Sequence, residues 1–289
     1  MTNMKDNNQH IAILMATYNG ERFVGEQIDS LLGQSYEDWH LYIHDDGSKD
    51  RTVAVIKGYI QLHPDKITLL EYAPQGGACR NFLSMIGKVE APYYMFCDQD
   101  DVWLPNKIEV SLEEMKRQEA EYPGKPIVIH TDLSIVDEHL NGIFSSMYEY
   151  TGKYPQYIRT FNDTGGHTSI ATGCTMLFNR LAEKGCDAQA EKAIMHDCWL
   201  CLCALKQQGV VYGIPEKTVL YRQHGDNCVG SGETKAADVN FLFRIRHFKK
   251  VYEQNRNYYA MLRSLGYGSI FKYLYYKIMY KRRIRRGAY

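Results

Sequence analysis

The chain has 289 residues, 45% of them hydrophobic, which is enough to form the core of one large domain or of one domain with an extension. The sequence contains no run of about 18 apolar residues, so it predicts no transmembrane helix. Residues 1–10 lack the apolar centre of a signal peptide. We therefore expect a cytoplasmic protein.

The formal net charge of zero hides an asymmetry between the two ends of the chain. Residues 241–289 contain 13 Lys and Arg and one acidic residue, whereas residues 1–240 contain 21 basic and 33 acidic residues. We therefore predict a main domain at 1–240 and a basic, aromatic extension at 241–289. The shift in composition predicts different partners for the two parts.

Short apolar runs alternate with segments of helical spacing through the first 131 residues. Strands are predicted at 11–16, 41–43, 67–70, 93–97 and 126–131, and helices at about 22–32, 50–59, 80–88 and 106–121. This alternation is typical of an α/β fold with a mainly parallel sheet. In such sheets, ligands bind beyond the carboxyl ends of the strands.

The alternation weakens after residue 132. Residues 141–168 are polar and rich in Gly and Tyr, which predicts a long loop region that binds or covers a ligand. Further strands are predicted at 171–178 and 219–223, and a helix at 197–207.

Asp98-Gln99-Asp100-Asp101 directly follows the apolar strand predicted at 93–97. Carboxylates are costly to bury without a counter-charge. Asp98 and Asp100 project to one side of an extended backbone, which suits a divalent cation that also holds phosphate oxygens. A polar turn that caps the next helix is the alternative interpretation.

Three other predicted strand ends carry polar or Gly residues: Thr17-Tyr18, Asp45-Asp46 and Gly76-Gly77. All three should lie at the same edge of the sheet as the acidic tetrad. A carboxylate there can accept the N3–H of a pyrimidine, and a Tyr ring offers a stacking face, so this edge suits a nucleotide base. Each segment by itself also fits an ordinary turn.

Two downstream segments complete the set of candidates. Asp197 lies at the start of a predicted helix, where it fits either a general base or an acidic helix cap. In the second segment, the charge of Arg222 suits the binding of a diphosphate, and the imidazole of His224 suits the role of a third metal ligand. A solvated strand end is the alternative for this second segment.

These motifs, in this order, resemble those of the family-2 glycosyltransferases of the GT-A fold, and the resemblance covers about residues 11–228. The motifs are Ala16–Gly20, Asp45–Asp50, Asp98–Trp103, His196–Trp199 and Tyr221–His224. The last two are most similar to bacterial rhamnosyltransferases of polysaccharide and O-antigen synthesis. The resemblance implies an α/β, Rossmann-like mixed sheet flanked by helices, to which the extension adds helices.

The resemblance also implies a division of labour among the candidates. The nucleotide-sugar donor would be held by Thr17, Tyr18, Asp45, Asp46, Arg80, Asp98 and Arg222. A Mn2+ or Mg2+ ion would be bound by Asp98, Asp100 and His224. Asp197 would be the catalytic base of an inverting transfer. His196 stands where the family commonly has Glu, and this form is familiar in the rhamnosyl branch.

The implied function is transfer of L-rhamnose from dTDP-L-rhamnose to a saccharide acceptor, which we expect to be lipid-linked, in cell-surface polysaccharide synthesis. The same mechanism with a UDP-hexose or UDP-N-acetylhexosamine donor is the first alternative. A nucleotidyltransferase and a non-catalytic saccharide-binding module are further alternatives.

The basic extension mixes aromatic and charged residues at 241–250 and 271–286. Helices of this composition lie at anionic membrane surfaces, so we expect a protein held peripherally at the inner face of the cell membrane. Packing of a helical pair on the main domain or on a second subunit, as in a homodimer, is the alternative. The acidic main domain shows no nucleic-acid motif, so we expect no nucleic-acid partner.

Overall fold

A computed structural model of the chain describes residues 9–152, 158–166, 170–186, 190–225 and 248–285. The strands in these ranges form one mixed sheet. Its strands are β1 (Ile11–Thr17), β2 (Trp39–Asp45), β3 (Ile67–Leu69), β4 (Tyr93–Asp98), β5 (Val102–Trp103), β6 (Ile127–Val136), β7 (Gly142–Phe144), β8 (Met176–Asn179) and β9 (Val210–Arg222). Their order is β3-β2-β1-β4-β8-β6-β9-β5, with β7 paired to β6.

The helices of the described ranges cover both faces of this sheet. They are α1 (Val24–Leu32), α2 (Thr52–Leu62), α3 (Ala78–Met85), α4 (Lys107–Glu121), α5 (Met147–Thr151), α6 (Arg180–Lys184), α7 (His196–Lys206), α8 (Phe248–Ser264) and α9 (Ile270–Arg285). Short 3-10 helices lie at Asp163–Gly166, Gly173–Thr175 and Ala190–Lys192. None of the helices in these ranges meets the length and hydropathy needed to cross a bilayer.

The sheet separates two hydrophobic cores. In β1, Ile11, Ile13 and Met15 pack with α1 and α4 on one face, while Ala12 and Leu14 pack with α3 and α7 on the other. Side chains alternate along a strand, so a strand covered on both faces becomes continuously apolar. This is why the run of apolar residues in β1 shows no period of two.

Strand direction brings the polar strand ends to one edge. β1 pairs in parallel with both β2 and β4, and β6 pairs in parallel with β9. The register sets Thr17 opposite Asp45 and Ala16 opposite Asp98. Because β8 runs antiparallel between β4 and β6, β9 has the same direction as β4. Arg222 at the end of β9 therefore also reaches this edge.

The predicted α/β class is confirmed, and the five strands predicted before residue 132 are present as β1, β2, β3, β4 and β6, although β6 continues to Val136. The prediction of a strand over 171–178 was partly wrong. Residues Gly173–Thr175 form a 3-10 helix, and β8 begins at Met176 and runs antiparallel to its neighbours. β9 begins at Val210, earlier than predicted, and the short strands β5 and β7 were not predicted.

The two C-terminal helices pack into the core rather than away from it. Tyr258, Leu262 and Tyr273 are buried in the same cluster as Trp199 of α7. The predicted domain boundary at 240 and 241 lies outside the described residues, as do residues 241–247 of the basic aromatic segment predicted at 241–250. The division of the chain at that point therefore stays a prediction.

Candidate active site

The ends of β1 and β2 form a hydrogen-bonded corner. The Thr17 hydroxyl donates to Asp45 Oδ1 at 2.9 Å. The Ser48 hydroxyl donates to the same oxygen at 2.6 Å, and the Ser48 backbone N–H donates to Asp45 Oδ2 at 2.8 Å. Asp45 therefore fixes the turn after β2, and its carboxylate is already surrounded by donors of the chain.

Asp46 anchors the loop that precedes α3. Its carboxylate accepts backbone N–H groups from Gln75, Gly76 at 3.0 Å and Gly77 at 2.6 Å. Gly76 and Gly77 have φ angles of +76° and +131°, which side chains rarely adopt. The two glycines thus let three consecutive amides converge on one carboxylate, in the manner of an anion nest.

Tyr18 presents its ring to solvent with its backbone held in place. The residue is 53% exposed. Gln99 accepts the Tyr18 N–H at 2.9 Å and donates to the Tyr18 carbonyl at 3.0 Å. The side-chain amide of Gln99 therefore joins the end of β1 to the end of β4, and the Tyr18 side chain is exposed at this edge.

The acidic tetrad combines a half-buried Asp98 with a buried Asp101. One carboxylate oxygen of each lies within 4.8 Å of the other and of the Cys174 sulfur. Burial, and then the carboxylates of Asp100 and Asp197, raise the pKa of Asp98. Burial, and then Asp100 and Asp98, raise the pKa of Asp101 well above its usual range. The tetrad is thus a place where negative charge accumulates.

The segment after β9 returns to the tetrad. His224 Nε2 lies 2.8 Å from Asp100 Oδ2, and the imidazole packs 4.8 Å from the ring of Phe23. The structure therefore joins two of the three residues that the sequence suggested as metal ligands.

Arg222 is 2% exposed and is held by the protein itself. Its Nε donates to the Asp100 carbonyl at 2.8 Å and its Nη1 to the Glu138 carbonyl at 2.7 Å, and Nη2 donates to the Glu26 carboxylate. The Arg222 backbone N–H donates to Asp101 at 3.1 Å. In this arrangement Arg222 ties β9 to the tetrad, so direct contact with a diphosphate would require some of these bonds to be exchanged.

Asp197 lies in the first turn of α7 and is half-buried. Burial raises its pKa to about 6, although backbone N–H groups of Cys198 and Gly173 act in the opposite direction. A Cβ at position 173 would lie 2.6 Å from the ring of His196. Glycine is therefore required for α7 to approach the start of β8 this closely. The result is a carboxylate next to the tetrad but carried by a different element.

His196, the neighbour of Asp197, belongs to the core. Its ring stacks on Phe82 at 4.1 Å and meets the edge of Phe96 at 4.8 Å. Burial lowers the pKa of His196 to about 3, so the imidazole is neutral. His196 therefore holds the first turn of α7 by packing and brings no charge to the site.

Arg80 is exposed in the first turn of α3. Burial raises the pKa of the neighbouring Cys79 thiol to about 11. The Asp197 carboxylate raises this pKa further, and the Arg80 guanidinium lowers it. The guanidinium therefore lies in the same neighbourhood as the candidate base. The described structure records no hydrogen bond or ion pair for Arg80, which leaves this cation available for a ligand.

The donor set at this edge fits a divalent metal ion. Asp98 and Asp100 supply hard carboxylate oxygens, and their mutual repulsion would be relieved by a cation. Burial raises the pKa of the Cys174 thiol well above its usual range. The thiolate form that a metal requires is therefore disfavoured, and Mg2+ and Mn2+ prefer oxygen in any case.

The sequence did not predict the residues that hold Tyr18 and Arg222 in place. Gln99 lies inside the tetrad, but its bridge to Tyr18 depends on strand register. Glu26 and Glu138, which bind Arg222, come from α1 and from the turn after β6 and carry no recognisable motif. Asp101 was visible in the sequence as the third carboxylate of the tetrad, but its complete burial was not.

Comparison with known proteins agrees with the fold and the motifs. The sequence profile of glycosyl transferase family 2 matches residues 12–185. The chain is 27% identical to the dTDP-rhamnosyl transferase RfbG of Shigella flexneri over 241 residues, which is 81% of this chain and 79% of that protein.

Two solved structures share the fold. The chain resembles TarS of S. aureus in complex with UDP-GlcNAc with a TM-score of 0.53 and 16% identity, covering 80% of this chain and 61% of that one. It resembles the mannosyltransferase PcManGT of Pyrobaculum calidifontis, in complex with GDP-Man and Mn2+, with a TM-score of 0.53 and 15% identity, covering 94% and 84%.

Proposed function

We propose that this chain, which belongs to glycosyl transferase family 2 and is a glycosyltransferase, carries out metal-dependent, inverting transfer of L-rhamnose from dTDP-L-rhamnose to a saccharide acceptor. One observation carries the mechanism. A separate carboxylate, Asp197, stands beside the acidic tetrad at the edge where the strands end. A displacement needs such a pair of functions, one for the leaving group and one for the acceptor proton.

The donor base would lie over the corner of β1 and β2. Tyr18 supports this with its exposed ring, and Asp46 with the amides that it gathers from the loop before α3. Thr17 and Asp45 would hold the shape of this corner through their mutual hydrogen bond. Arg80 would add positive charge near the sugar diphosphate.

Asp98, Asp100 and His224 would hold the Mn2+ or Mg2+ ion. When bound, the ion neutralises the negative charge that develops on the departing nucleoside diphosphate. Arg222 would act indirectly, because its hydrogen bonds to the Asp100 and Glu138 carbonyls fix the position of the segment that carries His224. We therefore assign Arg222 a positioning role in addition to the predicted contact with the diphosphate.

Asp197 would take the proton of the acceptor hydroxyl. As that oxygen forms its bond to C1 of the sugar, the bond from C1 to the diphosphate oxygen breaks and its electron pair leaves with the diphosphate. A single displacement of this kind inverts the anomeric configuration. A carboxylate with a pKa of about 6 is ionised at neutral pH and still basic enough to accept the proton.

The proposed acceptor is a lipid-linked saccharide of cell-surface polysaccharide synthesis, used at the inner face of the cell membrane. The ten basic residues and single acidic residue of 248–285 support this proposal, because such charge favours anionic lipid. The family assignment sets aside the nucleotidyltransferase and the non-catalytic binding module.

A UDP-hexose or UDP-N-acetylhexosamine donor is the second candidate. The resemblance to TarS in complex with UDP-GlcNAc favours it. Thymine and uracil differ by one methyl group and present the same N3–H, so the contacts proposed for Tyr18 and Asp46 suit both bases.

Calorimetric titration of dTDP and of UDP, each with and without Mn2+ or Mg2+, tests the proposal. We expect binding that requires the metal and that favours dTDP. A preference for UDP would keep the mechanism and replace the sugar. If neither nucleotide binds in the presence of metal, the edge formed by the strand ends is not a donor site and the proposal fails.

A further inference from the structure

Helix α9 presents two chemically different faces. Tyr273 and Tyr280 are buried against the rest of the protein. Several large apolar side chains of the same helix are exposed instead: Ile270, Phe271, Leu274, Tyr275 and Ile278. Phe271 is the extreme case, with 79% of its surface exposed. We call these five residues the α9 face.

The positions of these residues make the face continuous. At about 100° per residue, the five side chains fall within an arc of about 140°, and the two buried tyrosines fall on the opposite side. An exposed apolar stripe of this kind on a helix that is already packed is not needed for folding. Contiguous exposed apolar surface commonly marks an interaction site.

Basic residues extend the same arc. Lys281 and Arg282 follow the α9 face by one turn, and both are exposed. Residues 248–285 contain ten Lys and Arg against one acidic residue, Glu253. The apolar face is therefore bordered by positive charge, which is the pattern of helices that lie in the interface of an anionic bilayer.

We propose that the α9 face binds the headgroup region of an anionic lipid bilayer, with Lys281 and Arg282 on lipid phosphates. This inference rests on the proposed function in one respect, since it supplies the surface on which a lipid-linked acceptor would be met. An interfacial helix needs only one apolar face and no membrane-spanning length. Two copies joined face to face would bring like charges together, which disfavours a symmetric dimer through this surface.

The attachment of α8 and α9 links this surface to the active site. The Tyr258 hydroxyl donates to the Thr164 carbonyl at 2.9 Å, and Arg283 pairs with Asp163 at 2.9 Å. On α8, Met261 accepts the backbone N–H of Ile194, three residues before Asp197, at 3.5 Å to its sulfur. Docking of α9 would therefore hold the segment before the candidate base close to the bilayer.

Vesicle binding by the full chain tests the proposal. The vesicles are equimolar phosphatidylglycerol and phosphatidylcholine, compared with phosphatidylcholine alone. The first variant carries Phe271→Ser and Ile278→Ser, and the second carries Lys281→Ser and Arg282→Ser. The matched control carries Leu62→Ser and Lys57→Ser, which change an apolar and a basic residue that are exposed on α2.

We expect the chain to sediment with the anionic vesicles, and less so as ionic strength rises. Each α9 variant should lower the partition coefficient by about tenfold or more, because it removes apolar burial or phosphate contacts. The α2 control should bind like the unmodified chain. All altered side chains are exposed, so circular dichroism should show unchanged folding.

A second measurement locates the contact directly. The three tryptophans, Trp39, Trp103 and Trp199, are buried. Leu274→Trp therefore adds one exposed indole on the α9 face. Its emission should shift to the blue with anionic vesicles and should be quenched by brominated lipid.

Equal binding to both kinds of vesicle, unchanged binding of the α9 variants or an unshifted Leu274→Trp emission would each overturn the inference. A concentration-dependent dimer that the Phe271→Ser and Ile278→Ser variant abolishes would do so as well. Metal-dependent binding of dTDP, measured on the same samples, separates the two proposals. Retained nucleotide binding without vesicle binding rejects the membrane surface alone.

Discussion

Asp46 directly follows β2 and Asp98 ends β4, the two strands that pair in parallel with β1 on either side, but the two carboxylates have opposite surroundings. The Asp46 carboxylate accepts three backbone N–H groups and holds a loop. Asp98 is half-buried beside Asp100 and Asp197, and these acids add to the effect of burial in raising its pKa. The chain supplies hydrogen-bond donors to the Asp46 carboxylate, whereas it places other carboxylates beside Asp98.

This difference separates a preformed binding surface from a site that awaits a cation. The Asp46 carboxylate already has its hydrogen-bond partners in the backbone N–H groups of the loop. Clustered carboxylates favour their ionised form only when a positive ion or ligand arrives. The two halves of the edge should therefore respond differently to substitution and to metal.

The largest effect is expected for Asp197→Asn, which keeps the size of the side chain and removes the base. Transfer should fall by about 10²–10⁴-fold, the range typical of general bases. Affinity for dTDP in the presence of metal should stay unchanged, because the assigned donor contacts lie elsewhere. Single-turnover transfer and calorimetry on the same preparation measure both quantities. A large loss of nucleotide affinity would contradict the assignment of Asp197 as the base.

Asp46→Ala should have a smaller effect, and this effect should be on nucleotide affinity rather than on the transfer rate. Three amides of the loop before α3 would lose their acceptor, so we expect nucleotide affinity to fall by about tenfold, in line with the loss of one to two net hydrogen bonds. The transfer rate at saturating donor should change little. Asp65→Ala, an exposed acid just before β3, is the matched control. A lower transfer rate of Asp46→Ala at saturating donor would contradict the assignment of Asp46 to the binding surface alone.

The N-terminal half of the fold could be predicted because its signals are local. Continuously apolar strands such as β1 and β4 indicate a sheet covered on both faces. The polar residues at their ends indicate the edge of the sheet at which a ligand would bind. The direction of β8 could not be predicted. Three of its four residues, Met176, Leu177 and Phe178, are apolar and buried, and this pattern carries no information on strand direction, which pairing with β4 and β6 sets as antiparallel.

The same distinction holds within the site. Candidate residues were found wherever a carboxylate or a cation directly follows a strand, as with Asp98. The sequence suggested that Arg222 is a ligand-binding cation, whereas the structure surrounds it with Asp100, Glu138 and Glu26. Burial of a cation depends on partners that are distant in sequence, and a single sequence does not reveal them.

The smallest expected effect, Asp98→Asn, concerns stability and tests the comparison most directly. The pKa of Asp98 is raised in the folded protein, so the folded state binds a proton more tightly than the unfolded chain. The ionised carboxylate therefore costs stability, and this cost grows as pH rises from about 4 towards neutrality. Without metal, Asp98→Asn should raise stability at pH 7 by about 1 kcal/mol, or roughly 2–4 °C in Tm.

Two conditions separate this electrostatic gain from a general effect of the substitution. At about pH 4 the gain should vanish, because Asp98 is then protonated in the folded state. With Mn2+ the order should reverse, since the unmodified chain gains metal binding that the variant lacks. Asp65→Asn provides the control in thermal scans. A gain of equal size at both pH values, or a variant that Mn2+ stabilises as strongly as the unmodified chain, would show that Asp98 is an ordinary polar residue rather than part of the cation site.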